Sequence, residues 1–523
     1  MNSRIQLYPD CLRRIFEYIV DSSEYLHITH KNLYSCILVN KLFFQNAIPI
    51  LWRNPWNPNS NKSKNNYNKK LSIARTILSC LLQYHREQQQ DKNLTDIFGL
   101  ISFENPMKDP IFDYVSYCRH INCLDIENVT RMLIENKREL NIIFDKKHAE
   151  NIGYILFEDI WRLFMKKCNN IEYLKLPQNI NISILPGSQQ CLRWLNELEC
   201  VVVGNEMNQS INKNFIGLAN ICHNLTKIRI NPLDKDDRGL ATLIKAQNNL
   251  EEIHLFTNHH VENLRFINQA LSTKSNSLKI LSFKGNFYFS SQNSFLSSLH
   301  NLKQLHIKFA TYSNINCLLN LTVLPKLEFF VIHLNYYSFE ISLDCFSKLI
   351  STTKGFLQKF EIINATRPPS KIIGLQLFIQ SIINHCPLIN HLKIWYISDL
   401  LNDFKQLLIS AEYLNSIEFD FLKVQNDDYN MERELQTKSL LDALIAWSSI
   451  NLNYLYLSNL WWLLPHELSY FLELWKPRNI KLTLKIKDNE KEDLHPYLVV
   501  IDKFIKDDVL TVDSGKWIKE FPF

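Results

Sequence analysis

One phrase recurs along most of the chain: an apolar residue, two others, an apolar residue, one other, an apolar residue. It reads IEYLKL, LECVVV, LTKIRI, LEEIHL, LKILSF, LKQLHI, LEFFVI, LQKFEI, INHLKI, LNSIEF and LNYLYL, beginning at positions 171, 198, 225, 250, 278, 302, 327, 357, 389, 414 and 452. The steps are 27, 27, 25, 28, 24 and 25 residues, then 30, 32, 25 and 38. An INCLDI at Ile121 extends the series toward the N-terminus. The last two apolar positions alternate as one face of a strand does. Between copies lie stretches of helical period, such as FIGLANICH, SFLSSLH and LQLFIQSIINH. The pattern predicts a strand and then a helix about every 25 residues, each unit burying its apolar side against the next.

In such a stack the residues between and beside the apolar pair point out from the sheet and line one face. Its middle row is expected to read Lys175, Val202, Arg229, His254, Ser282, His306, Val331, Glu361, Lys393, Glu418 and Tyr456. One flanking row adds Lys227, Glu252, Ile280, Gln304, Phe329, Lys359, His391 and Tyr454, and the other adds Phe256, Lys284, Lys308 and Trp395. A mixed polar, basic and aromatic lining suits a peptide- or protein-binding face. The candidate target-binding residues are therefore Lys227, Arg229, His254, Phe256 and Lys284, followed by His306, Lys308, Phe329, Trp395 and Tyr456. The first half of this lining is moderately basic, which favours an acidic or phosphorylated target.

The first 56 residues follow a different pattern. Pro9 and Asp10 suit the first turn of a helix, and Leu12, Ile15, Phe16 and Ile19 form one apolar stripe before Asp21-Ser22-Ser23 stops it. A second helical pattern starts near Lys31 and carries Leu33, Ile37 and Leu38; a third carries Leu42, Phe43 and Ala47 until Pro49 breaks it. Three helices this short bury too little surface among themselves. The apolar cluster LVNKLFFQNAIPILWRNPW at 38–56 must pack on a partner or on the chain that follows. Residues 57–70, NPNSNKSKNNYNKK, read as a solvated linker. From there LSIARTILSCLLQYHREQQQ turns helical, with Leu71, Ala74, Leu78, Leu81 and Leu82 on one side.

Composition excludes more than it identifies. The chain of 523 residues has 58 Lys and Arg against 53 Asp and Glu, a net charge of +5, with no polybasic arm and no acidic tail. No nucleic-acid partner is expected. The start, MNSRIQLYPD, lacks a secretion-signal layout, and no apolar run is long enough to span a bilayer. Twelve cysteines without CxxC pairs read as reduced, mostly buried thiols of a cytosolic or nuclear protein. Only ten glycines occur, and none forms a phosphate-cradling or nucleophile-elbow motif. HExxH is absent, and His259-His260 is poor metal-ligand spacing. No cofactor, metal or catalytic residue is expected.

The N-terminal segment resembles an F-box, in the form common in large fungal F-box families. The matching features are Leu7 and Pro9, Leu12 with Ile15-Phe16, Tyr18-Ile19, Leu38-Val39-Asn40-Lys41 and Ile48-Pro49-Ile50-Leu51-Trp52. Tyr8 separates Leu7 from Pro9, residues 22–30 form a longer insert, and Phe43-Phe44 replaces an aromatic-plus-small pair. F-boxes dock onto the adaptor of SCF-type cullin-RING ubiquitin ligases. The resemblance implies an adaptor-facing set of Leu7, Pro9, Leu12, Ile15, Phe16, Leu38, Val39 and Trp52. The repeats resemble the irregular leucine-rich-repeat domains of F-box proteins, with the family's asparagine present only at Asn179, Asn258, Asn286 and Asn335.

The expected architecture is α/β: a three-helix F-box at 1–56, the linker 57–70, and a helical linker or cap at 71–170. A leucine-rich-repeat-like solenoid, a horseshoe, follows at 171–486, and a tail or cap at 487–523. Within LSNLWWLLPHELSYFLELWKPRN, Trp461, Trp462 and Trp475 are expected to close the stack, NIKLTLKI at 479–486 to be a final strand, and KDNEKED a solvated loop. By resemblance the chain is the non-catalytic substrate receptor of an SCF ligase. Its partners are then the adaptor, through it the cullin scaffold, and an unknown target protein, with no membrane involved. The alternative is a repeat-based binding scaffold acting outside ubiquitination.

Overall fold

The computed structural model describes residues 8–21, 33–56, 64–88, 102–103, 109–135, 142–143, 149–202, 209–262, 264–289, 295–310, 312–320, 322–334, 340–364, 371–421, 430–457, 464–486 and 495–512. They form two compact units, residues 1–231 with 237–250, and 232–236 with 251–523.

The first unit begins with helix α1 (Pro9–Asp21), a helical turn over residues 33–37, and α2 (Lys41–Leu51). Asn40 starts α2: its backbone is extended and its Oδ1 accepts the Phe43 N–H at 2.9 Å, satisfying a donor the helix leaves open. Pro49 does not break this helix, contrary to the sequence reading. It lies in the last turn, where a missing N–H costs a single bond, and Trp52 N–H still reaches the Ile48 carbonyl at 3.0 Å. Leu12, Phe16, Leu33, Ala47 and Ile50 form a small core of their own, with Phe16 and Phe43 edge to face at 5.5 Å. Helix α3 (Lys64–Glu87) starts inside the stretch read as linker, because Asn and Lys are tolerated on the exposed side of a helix whose other side is apolar. It buries Leu71, Ala74, Leu78 and Leu81 as expected, with Leu82 half-buried.

The sheet of this unit has strands β1 (His120–Asn122), β2 (Tyr173–Leu176), β3 (Glu197–Val201) and β4 (Lys227–Asn231), every pair parallel and in chain order. The repeat therefore reaches into the region read as a helical cap. Between strands run helices α4 (Cys123–Glu135), α5 (Ala149–Lys167) and α6 (Gln209–Ile221), and α7 (Arg238–Ala246) follows β4.

Glu340–Ser342 pairs with Lys371–Ile373 in a separate two-stranded sheet, and the main sheet of the second unit has ten strands in chain order. These are β5 (Glu252–Phe256), β6 (Ile280–Lys284), β7 (Gln304–Ala310), β8 (Phe329–Leu334), β9 (Lys359–Asn364), β10 (His391–Tyr396), β11 (Ser416–Phe421), β12 (Tyr454–Leu457), β13 (Leu482–Ile486) and β14 (Leu510–Val512). All nine neighbouring pairs are parallel. Residues 479–486 do supply a strand, but β14 follows it, after a helix at His495–Lys506. Trp475 is fully buried and stacked under the Arg478 guanidinium, which also donates to the Leu444 and Ile445 carbonyls at the end of the preceding helix. Trp461 and Trp462 lie outside the described residues.

A single backbone device ties the units of the repeat together. At most strands within each unit the carbonyl two positions before the first inward residue accepts two N–H groups of the next repeat. Glu251 O takes Lys279 and Ile280 N–H at 2.8 and 2.9 Å, and Lys279 O takes Lys303 and Gln304 N–H at 2.8 and 2.9 Å. The first apolar position of each phrase, Leu225, Leu250, Leu278, Leu302 and Leu327 among them, is fully buried beneath it.

Candidate functional site

The N-terminal helices divide the residues expected to face an adaptor into two groups. Leu12 and Phe16 are each 1% exposed and belong to the unit's own core, so they are not docking residues. The helical stripe is wider than the face it buries: positions 12, 16 and 19 turn inward while Ile15 stands on the shoulder, 46% exposed. Pro9 is exposed, Leu38 is 74% and Val39 60% exposed in the turn that precedes α2, and Leu7 lies outside the described residues. Three tyrosines left out of the adaptor-facing set, Tyr8, Tyr18 and Tyr34, are also exposed. Tyr18 could have been found, since it follows Ile15 at i+3.

Trp52 is half-buried against the chain that follows. Its ring lies 4.9 Å from that of Tyr114. Arg53 O accepts the N–H groups of Arg119 and His120 at 2.9 and 3.1 Å, and Trp56 Nε1–H donates to His120 O at 3.2 Å. This is the same two-to-one bond that links the later repeats, so residues 52–56 act as the rung before the first strand.

On the sheet face of the first unit the register differs from the sequence reading at two places. Val202 is buried beyond the end of β3; the middle-row residue is Glu199, paired with Lys175 and Arg229. At the first strand the middle residue is Asn122, paired with Lys175. Both slips are three residues, and in both the true phrase ends in cysteine, CRHINC at 118–123 and LNELEC at 195–200, whose buried Cys123 and Cys200 serve as the inward apolar residue. The correction changes the charge of the face. Lys175 Nζ is 2.8 Å from Glu199, which also accepts the Tyr173 hydroxyl at 2.8 Å, and Arg229 is 3.7 Å from Glu197. The basic lining expected here is neutralised. Burial works against the Glu199 carboxylate, but the bonds from Lys175 and Tyr173 outweigh it and hold it below the usual range.

The face of the second unit holds the remaining candidates in two halves. Across β5 to β8 the register sets His254, Ser282, His306 and Val331 in one row and Phe256, Lys284, Lys308 and His333 in the next. Lys284 is exposed, with its ammonium 4.9 Å from the Phe256 ring, and Lys308, Phe329 and His306 are half-buried. Burial and the Lys308 ammonium push His306 down, and the same two causes push His333 down to about 4. His254 contacts Glu252 on its own strand.

Across β9 to β12 the charges pair off. Glu361 meets Lys359 and His391, each at 2.7 Å, and Lys393 meets Glu418 at 2.8 Å beneath the Tyr456 ring. Trp395 is only 1% exposed and Tyr456 is buried as well, so neither is an open aromatic anchor of the kind expected. Parity alone places an outward side chain but not what lies over it. Desolvation raises the Glu361 carboxyl, yet the bonds from His391 and Lys359 bring it to about 2. A carboxyl depressed in the folded state contributes stability that is present above its unfolded value and lost as pH falls through the folded one. Glu361→Gln is expected to cost about 2 kcal/mol at neutral pH after discounting for partial exposure. In thermal unfolding the gap from the parent should close between pH 4.5 and about 2; a gap unchanged at low pH would rule this account out.

Among the described residues no group of His, Cys, Asp and Glu could hold a metal ion, and no helix is long and apolar enough to cross a membrane. Nine of the eleven described cysteines are buried. Burial pushes thiols such as Cys200 and Cys386 up to about 12, far from nucleophilic at neutral pH.

The chain is an α/β repeat protein. No protein-family model matches its sequence, and no curated protein does. Among solved structures it is similar to a Bacteroides fragilis protein, at 12% identity over 70% of this chain and 84% of that one, with a TM-score of 0.31. It is also similar to the leucine-rich repeat-containing protein LegL7 from Legionella pneumophila, at 14% identity over 58% of this chain and 97% of that one, with a TM-score of 0.30. Superpositions this loose carry no weight for function, and the repeat stands on the chain's own parallel strands.

Proposed function

We propose that this protein is a substrate-recognition subunit of an SCF-type cullin-RING ubiquitin ligase, working in the cytosol or nucleus. The N-terminal helices dock on the adaptor, and through it on the cullin scaffold, while the repeat faces hold the target protein. The subunit is not catalytic; it supplies proximity to a reaction performed elsewhere. The observation that carries the reading is the apolar surface left open by helices that already have a core. Ile15, Leu38 and Val39 stand exposed, as do Tyr18 and Tyr34, while Leu12, Phe16, Leu33, Ala47 and Ile50 form the core of the same helices. Few large apolar anchors on a short helical unit suit helix-in-groove association. Burying each contributes roughly 1.5–3 kcal/mol.

The test is co-purification with the SCF adaptor, comparing the parent with an Ile15→Asp, Leu38→Asp double variant. The parent should bind, and the variant should lose binding while keeping its circular dichroism, since both side chains face solvent. A parent that fails to bind sinks the ligase reading and leaves a binding scaffold outside ubiquitination.

A further inference from the structure

Helix Asn430–Trp447 follows β11 and helix Pro465–Trp475 follows β12. Because the strands are parallel, both lie on the helix side of the stack, and they pack against each other. A pocket of about 370 Å³ opens between them, a size at the small end of ligand sites. Its floor is apolar: Leu441 from the first helix is 4% exposed and Phe471 from the second 1%. Its mouth carries both signs of charge. Lys438 and Asp442 stand one turn apart on the first helix, and His466 and Tyr470 one turn apart on the second, beside Glu467. Opposite charges at this spacing can neutralise each other on a helix surface, and on the sheet faces Lys175 and Lys393 each meet a carboxylate. Here they do not. Among the described residues neither the Lys438 ammonium nor the Asp442 carboxylate has an ion-pair or hydrogen-bond partner, and both residues are exposed. Glu467 is fixed at the start of its helix, where one carboxylate oxygen accepts the Leu464 N–H at 3.1 Å.

We propose that this pocket binds a free α-amino acid with a large aliphatic or aromatic side chain. Its carboxylate lies on Lys438 and the His466 ring, its ammonium between Asp442 and Glu467, and its side chain on Leu441 and Phe471. The charges select the class. A fatty acid or a phosphate ester would bring negative charge against Asp442 and Glu467, with one lysine to offset it. A polyamine would set its own positive charge against Lys438. A neutral apolar molecule would strip water from the charged mouth with nothing in return. A zwitterion with an apolar tail answers all of these groups at once. Lys438 and Asp442 are about 6 Å apart along the helix axis, and the long lysine side chain can close the gap to the two charges carried on one α-carbon. An open mouth keeps the affinity modest, with a Kd of about 0.1–1 mM. The site goes beyond the receptor reading and does not depend on it: a chain that bound no adaptor would still carry it.

The test is saturation-transfer NMR on the full chain with L-phenylalanine and L-leucine as probes. L-alanine, N-acetyl-phenylalanine, phenylalanine amide, octanoate and spermidine serve as comparisons, each lacking the tail or one of the two charges. At least one probe should bind, and every comparison should bind about tenfold more weakly or worse. Lys438→Met and Asp442→Asn should each weaken the probe by about tenfold. Lys506→Met, at an exposed lysine that does not line the pocket, should leave binding unchanged. All three side chains are exposed, so circular dichroism should match the parent's. No transfer to either probe up to about 10 mM overturns the site. So does binding that survives both Lys438→Met and Asp442→Asn, or that falls equally in Lys506→Met. N-acetyl-phenylalanine, octanoate or spermidine binding as tightly as the probes overturns the zwitterion assignment.

Discussion

Phe360→Ala should lower the stability of the second unit by about 3–5 kcal/mol, the cost of emptying a large site in a core that cannot fully collapse. Phe360 is fully buried, and its ring lies 5.4 Å from Phe330, 6.2 Å from Phe346 and 5.1 Å from Phe378. These rings come from two neighbouring strands and from helices Asp344–Ser351 and Leu375–His385, so a cavity here weakens three successive repeats together. In a stack held by nearest-neighbour contacts, that loss should appear as separate, earlier unfolding of this region. Thermal or denaturant unfolding measures it, with Phe356→Ala as the control, since that ring sits just before the same strand and is half-exposed. If Phe360→Ala costs less than about 1 kcal/mol, or no more than Phe356→Ala, the aromatic core does not hold these repeats together.

The second large effect separates surface from core at neighbouring positions of one helix. Phe16→Asp should unfold the N-terminal helices, because a carboxylate placed among Leu12, Leu33, Ala47 and Ile50 is buried without a partner. So small a core has little stability to lose. Ile15→Asp, one residue earlier, should leave the helices intact. Limited proteolysis followed by mass spectrometry reads the difference: new cleavage within residues 9–51 for Phe16→Asp and none for Ile15→Asp. Equal cleavage in both would place Ile15 inside the core and remove it from the docking surface. On the proposed docking, adaptor binding should be lost in both variants, but only Phe16→Asp loses it through the fold.

The strands were legible because the LxxLxL phrase is strict where the sheet is strict: from Leu225 to Leu452 every predicted outward residue falls at its place in the observed register. The two slips came where cysteine fills an inward position, because Cys packs as a small apolar residue but is easily passed over beside a run such as VVV at 201–203. Which of the candidate N-terminal residues reach the surface was half legible. A stripe at i, i+3, i+4 and i+7 marks a face wider than the core of three short helices, so its edge residue, Ile15, and its central ones, Leu12 and Phe16, part company. Burial of Trp395 and Tyr456 was beyond reach, as was the pairing of Glu361 with both Lys359 and His391. The Glu361–His391 contact crosses strands thirty residues apart in the chain, which no local pattern encodes, and Lys359, two residues away on the same strand, completes it.

The Arg53 carbonyl has a consequence for how this protein can be divided, by an experimenter or by descent. A chain cut after residue 56 would strip the rung from Arg119 and His120 and leave the first strand as a bare sheet margin, inviting pairing with other copies. Residues 52–56 are thus shared property. On the proposed docking, a lineage that abandoned an adaptor could let Ile15, Leu38 and Val39 drift to polar residues at little cost, while Trp52, Arg53 and Trp56 stayed fixed by the sheet they close. Among relatives, the first three positions would then record whether the partnership persists, and the last three only that the repeat still folds.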